Sequence, residues 1–167
     1  MIELTGKIEF EPQHITNKHL AQGAWKRTAL VLFDGDVTEY YAWFIKKRFG
    51  ISLNRPARGG HISFINDRLD DIEGKTYEQK NSIWKETKKI WDNAEVDICL
   101  DPDVRTNGQH WWFNVPEVDR KVLQYVRKKL GLGRPYFGMH MTLGVANSKN
   151  IDLSHQIHGY IKDGLTW

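Results

Sequence analysis

The chain lacks most of what would set it apart from an ordinary intracellular protein. Its single cysteine, Cys99, excludes an intramolecular disulfide and a cysteine zinc site, so stability has to come from core packing and a reducing compartment fits. No apolar run approaches the roughly 20 residues that a bilayer-spanning helix needs. The opening Met1-Ile2-Glu3-Leu4-Thr5-Gly6-Lys7 has no charged-then-apolar order of a secretory signal, which predicts a cytosolic chain. A dominant charge is missing too: 24 Lys and Arg against 21 Asp and Glu leave a formal +3, which permits a phosphate-bearing ligand without demanding one. Low-complexity tracts, tandem repeats and Ser/Gly/Pro-rich linkers are absent, so the 167 residues are expected to form one domain over 1–167.

Aromatic residues, by contrast, are abundant, with seven Trp, six Tyr and seven Phe. Most are expected in a core and some as stacking surfaces. Ala29 to Phe33, closed by Asp34-Gly35-Asp36, predicts a buried strand. Asp36 with Glu39 resembles a capping box for a helix over 37–49, its apolar positions including Tyr40, Tyr41, Phe44 and Ile45 and its end set by Gly50. A basic, breaker-rich loop, Asn54 to Gly60, leads into a strand at His61 to Ile65. Ile83, Trp84, Thr87, Ile90 and Trp91 mark the inner stripe of a second helix over 76–91.

Val96 to Leu100 and His110 to Val115 then suggest a hairpin with an elongated loop. Pro116-Glu117 opens a third helix with Val118, Val122, Tyr125, Val126 and Leu130 on its expected inner face. Over 138–146, Met139, Met141, Leu143 and Val145 alternate with His140, Thr142, Gly144 and Ala146 as on a strand, and a short helix over 152–162 is expected to cover an edge. The elements predict an α+β fold with a mixed or antiparallel sheet and outer helices.

Two of these strands carry the same chemistry. His61-Ile62-Ser63 and His140-Met141-Thr142 each set an imidazole and a hydroxyl on one face of a strand, because side chains alternate with period two. An imidazole gives or takes a proton near neutrality, and a hydroxyl donates to an anionic oxygen. Two such pairs facing each other would grip a phosphodiester, one histidine deprotonating the attacking water or ribose hydroxyl and the other protonating the departing oxygen. Ser63 and Thr142 would stabilise the charge growing on the non-bridging oxygens. With 9 Thr and 5 Ser in the chain, seven histidines would yield about 0.6 such spacings by chance. Three occur, but His14-Ile15-Thr16 lacks the apolar continuation of a strand, and Thr16 suits a helix cap.

The paired His-x-Ser/Thr motifs, 79 residues apart, resemble the 2H phosphoesterase superfamily. The resemblance covers roughly 27–146 in element order as well as motif. It implies two related lobes of antiparallel sheet and helix around a central cleft, each lobe supplying one motif. It also implies metal-free cleavage of 2′,3′-cyclic phosphates, 2′,5′-linked oligonucleotides or other cyclic phosphodiesters. Overall size and the aromatic-rich segment before the second motif are most similar to small phage-type members, some RNA-repair-like and some anti-CBASS enzymes that destroy cyclic oligonucleotide signals. Ser63 stands where Thr is commoner in that superfamily.

Around the motifs, Arg55 and Arg58 in the loop before the first strand are candidate phosphate clamps, as are Arg134 and Tyr136 at the equivalent place before the second. Arg105 is a further basic candidate. Trp111 and Trp112 must point to opposite faces of a strand, so one is expected in the core and the other could stack on a base. No third His, Cys or carboxylate sits at a recognisable metal-ligand spacing, so neither metal nor other cofactor is expected. The expected partner is a cyclic oligonucleotide or RNA-derived nucleotide, with no membrane and no obligate protein partner. The rival from another class is a non-catalytic module that binds RNA or a cyclic nucleotide through exposed aromatics and a basic rim.

Overall fold

The computed structural model describes residues 1–12, 27–66, 70–135 and 138–148. Among the described residues eight strands join in a single curled, half-barrel sheet: β1 (Ile2–Phe10), β2 (Ala29–Leu32), β3 (Leu53–Asn54), β4 (His61–Ile65), β5 (Glu95–Leu100), β6 (Val104–Thr106), β7 (His110–Asn114) and β8 (His140–Ala146). Their order across the sheet is β5-β1-β2-β4-β8-β7-β6, with β3 added beside β8. Every pairing is antiparallel. Among the described residues three helices, α1 (Asp36–Phe49), α2 (Tyr77–Trp91) and α3 (Lys121–Lys129), make this an α+β fold.

The sheet divides its residues by parity. Ile8, Val31, Ile62, Phe64, Ile98, Phe113, Met141 and Leu143 are buried with Ile45 of α1, Trp84 of α2 and Leu123 and Val126 of α3 in one apolar cluster. Each such side chain contributes about 1.5–3 kcal/mol by leaving water. α1, which follows β2, packs against β8, and α3, which follows β7, packs against β4. Each half of the chain thus supplies the helix that lies under the motif strand of the other half.

Several expectations are corrected here. α1 has no capping box: Gly35 occupies the cap without a side-chain bond, and Glu39 instead pairs with Arg55. The box is on α2, where Thr76 Oγ1 accepts from the Gln79 amide and the Gln79 side chain accepts from the Thr76 amide. β5 and β7 do not form a hairpin. β5 pairs with β1 at one end of the sheet, and the hairpin joins β6 to β7 at the other.

The α3 face is also rotated from its expected position. Leu123, Val126, Arg127 and Leu130 are buried, while Val118, Val122 and Tyr125 are exposed, because a 3-10 turn over Glu117–Arg120 precedes the helix and breaks the 3.6-residue phase. Ile90 of α2 is likewise exposed. On β8 the alternation reverses after Leu143, since Trp111 pairs with Gly144 and Trp112 with Thr142, leaving Leu143 unpaired in a bulge. Val145 is consequently half-buried and Ala146 buried. The expected helix over 152–162 lies outside the described residues, as do His14, Ile15 and Thr16. Among the described residues no helix is long and apolar enough to cross a membrane.

Candidate functional site

Strand register brings the two motifs together. β4 and β8 are antiparallel neighbours with Ile62 opposite Met141, and both of those side chains enter the core. One step to either side of that pair, His61 lies beside Thr142 and Ser63 beside His140. All four face away from the helices and are half-buried, forming a square in which each imidazole has the other strand's hydroxyl residue as its neighbour. Directly opposed residues on antiparallel strands have Cβ atoms about 4.5–5.5 Å apart.

Local structure then holds the two imidazoles alike. The Nδ1 of His61 is 2.9 Å from the carbonyl oxygen of Gly59, and that of His140 is 2.8 Å from the carbonyl of Gly138. A carbonyl only accepts, so Nδ1–H is the donor in both rings and Nε2 is left as the free nitrogen. For His61 the carbonyl is aimed by a turn in which Gly59 N–H donates to Pro56 O at 3.0 Å, Gly59 taking φ +70°, a left-handed value that favours glycine. The residue before each histidine is also anchored the same way. Phe33 N–H donates to Gly60 O at 2.9 Å, and Val115 N–H to Met139 O at 3.1 Å. Phe33 and Val115 are the residues just beyond β2 and β7.

Both imidazoles are pushed below the ordinary histidine value. For His61 burial is the main cause, opposed by the Gly59 carbonyl and aided by the positive charge of Arg58. For His140 burial again leads, opposed by the Gly138 carbonyl and aided by the charges of His61 and His110. Both rings are therefore biased toward the neutral form, with Nε2 able to accept a proton. Among the described residues the hydroxyls of Ser63 and Thr142 have no hydrogen-bond partner, leaving them available to a ligand.

The other candidates are dispersed. Arg58 is half-buried and close enough to bear on His61, whereas Arg55 is exposed and holds Glu39 at 2.5 Å. Arg134 is exposed in the loop before β8, and Tyr136 lies outside the described residues. Trp111 is fully buried in the core and offers no surface to a base. Trp112 is on the histidine face as the neighbour of Thr142, but it is only 4% exposed, and its Nε1 donates to Asn114 Oδ1 at 3.0 Å. A stacking platform needs an open ring face, which neither tryptophan presents.

Two residues of this face escaped the sequence reading. Asn114 is the neighbour of His140 on the side opposite Ser63, and His110 is close enough for its charge to act on His140. Period-two alternation from His110 through Trp112 to Asn114 would have found both, once β7 was known to lie beside β8. Among the described residues no three His, Cys, Asp or Glu side chains are grouped to hold a metal ion. The chain matches no family model, no curated protein and no solved structure.

Proposed function

We propose that the chain is a phosphodiesterase that cleaves a nucleotide phosphodiester by acid–base catalysis between His61 and His140, in the manner of the two-lobed 2H fold. The observation that carries this reading is the crossed square on β4 and β8, in which two imidazoles with the same free nitrogen flank two unengaged hydroxyls. The sheet supports the two-lobed description: β1-β2-β4 and β6-β7-β8 are each strand sets with a helix before the motif strand, and they meet at that strand pair.

In the reaction, Nε2 of one neutral imidazole takes the proton of the attacking water or ribose hydroxyl as its oxygen bonds to phosphorus. The bond from phosphorus to the leaving oxygen breaks, and the other imidazole, protonated, delivers its proton to that oxygen. Ser63 and Thr142 donate to the non-bridging oxygens as their charge rises. No metal is needed for these steps. The expected substrate is a cyclic oligonucleotide signal, with 2′,3′-cyclic phosphate RNA ends and 2′,5′-linked oligonucleotides as the other members of the class.

The deciding experiment is product analysis, with chelator present, after incubation with cyclic di- and trinucleotides, 2′,3′-cyclic mononucleotides, 2′,5′-oligoadenylate and short RNA. Linear products that vanish in His61→Ala and His140→Ala support the enzyme. Binding without cleavage, surviving loss of both histidines, would overturn it in favour of a non-catalytic binding module.

A further inference from the structure

The face that carries the histidines is unequal on its two sides. Toward β1, the neighbours of His61 and Ser63 on β2 are Leu32 and Leu30, which offer no polar group. Beyond them on β1 stand Lys7, ion-paired to Glu95 at 3.9 Å, and Glu9. Toward β6, the neighbours of His140 and Thr142 on β7 are Asn114 and Trp112, and beyond Trp112 on β6 stands Arg105. The first side is apolar and then carries Lys7, Glu9 and Glu95, and the second is polar and then carries Arg105 with Asp101 as its ion-pair partner. An anionic ligand larger than one phosphodiester meets polar groups next to the histidines only over β7, with a guanidinium beyond them on β6.

Arg105 is poorly engaged for a guanidinium so far from solvent. Its side chain is 14% exposed, its one ion pair is a long 3.4 Å contact from Nη2 to Asp101, and its Nε is buried without a partner among the described residues. A buried donor left unpaired is costly, and a guanidinium held this loosely can turn its donors toward a phosphate oxygen. Arg105 is two strands from Thr142, about 10 Å across the sheet at the usual strand spacing, within reach of a long side chain and a phosphate next along an oligonucleotide. Asn114 adds orientation. Because Trp112 Nε1 can only donate, it holds the Asn114 oxygen, and the amide nitrogen of Asn114, the residue paired with His140, remains as a donor.

Resting on the phosphodiesterase reading, we infer that the substrate carries at least two phosphates, one between the histidines and a second held by Arg105 on β6, so that the class is an oligonucleotide rather than a cyclic mononucleotide. The test compares wild type, Arg105→Ala and Arg105→Lys on a cyclic trinucleotide and on a 2′,3′-cyclic mononucleotide. Arg105→Ala should lower kcat/KM on the trinucleotide at least tenfold, mostly through KM, with Arg105→Lys intermediate and turnover of the mononucleotide unchanged. An equal loss on both substrates, or none on the trinucleotide, would overturn the inference.

Binding of the linear dinucleotide pApA and of AMP, measured for the same three proteins, separates this subsite from the catalytic reading. Arg105-dependent binding of pApA alone in a protein that cleaves nothing would keep the subsite and sink the enzyme. Equal binding of pApA by wild type and Arg105→Ala would sink the subsite whatever the activity. Should Arg105→Ala fail to fold, Arg105→Lys carries the comparison.

Discussion

The strand pairs β2–β4 and β7–β8 are two versions of one device set in different surroundings. Each ends in a histidine whose Nδ1 is bonded to the carbonyl two residues earlier, and each anchors the preceding residue to the chain just past the neighbouring strand. Their flanks differ. His61 has Leu32 beside it and the Arg58 charge nearby, whereas His140 has Asn114 beside it and the imidazoles of His61 and His110 near enough to act on it. Backbone geometry is thus repeated at the two rings while the side chains beside them diverge.

The comparison breaks most sharply if the two histidines prove unequal in kind. His61→Ala and His140→Ala should each lower turnover by about 10²–10⁴ with little change in Tm, and the double variant should be hardly worse than the poorer single one. Loss of Tm with unchanged turnover in either variant would make that histidine structural.

Next in size is the tie between the halves. Arg127 of α3 is 2% exposed, pairs with Asp70 through both carboxylate oxygens at 2.7 and 2.8 Å, and donates to the carbonyls of Phe64, at the far end of β4, and Gly133. Asp70→Ala leaves that cation buried and unpaired, and should cost about 3–5 kcal/mol, read as a fall in the denaturant midpoint. A shift below 1 kcal/mol would mean that the guanidinium finds water or another acceptor.

A smaller effect is expected where the motif strands themselves differ. Ile65 sits four residues after His61, but Gly144 sits four after His140, because β3 closes on β8 there and a Cβ would meet Asn54 O and Leu53 Cβ at 2.8 Å. Gly144→Ala should destabilise by about 1–3 kcal/mol by displacing β3, while substituting Ala at Ile65 would leave a cavity instead. Thermal melts of both variants distinguish crowding from cavity.

The smallest and finest test is pH. With both folded imidazoles pushed below their usual value of 6.5, the kcat/KM profile should be a bell with both limbs below that pH. Arg58→Gln should move the His61 limb upward, because it removes a cation that disfavours protonation. The same shifts predict stability: above pH 6.5 the rings are neutral in both states, and as pH falls below it the unfolded chain takes up protons first, so stability drops until the folded values are passed. Denaturant titrations at pH 7 and pH 5 check the sign.

Alternation and apolar runs, which depend on nearby residues alone, made much of this protein legible. β4 spans His61–Ile65 as its pattern requires, α1 ends at Gly50 with φ +71°, and α2 runs to Trp91. Period two likewise put His61 with Ser63 and His140 with Thr142 on a common face before any pairing was known. Pairing itself depends on contacts distant in sequence, which no local pattern encodes. Only the tertiary structure could set β5 beside β1 instead of β7, cross the motifs so that each imidazole meets the opposite hydroxyl residue, and bring Asn114 and Arg105 onto the same face. Arg127 belongs to the same category. Within an apparently solvated Arg-Lys-Lys run it is buried, because the partner that makes a buried charge tolerable, Asp70, lies 57 residues earlier in the chain.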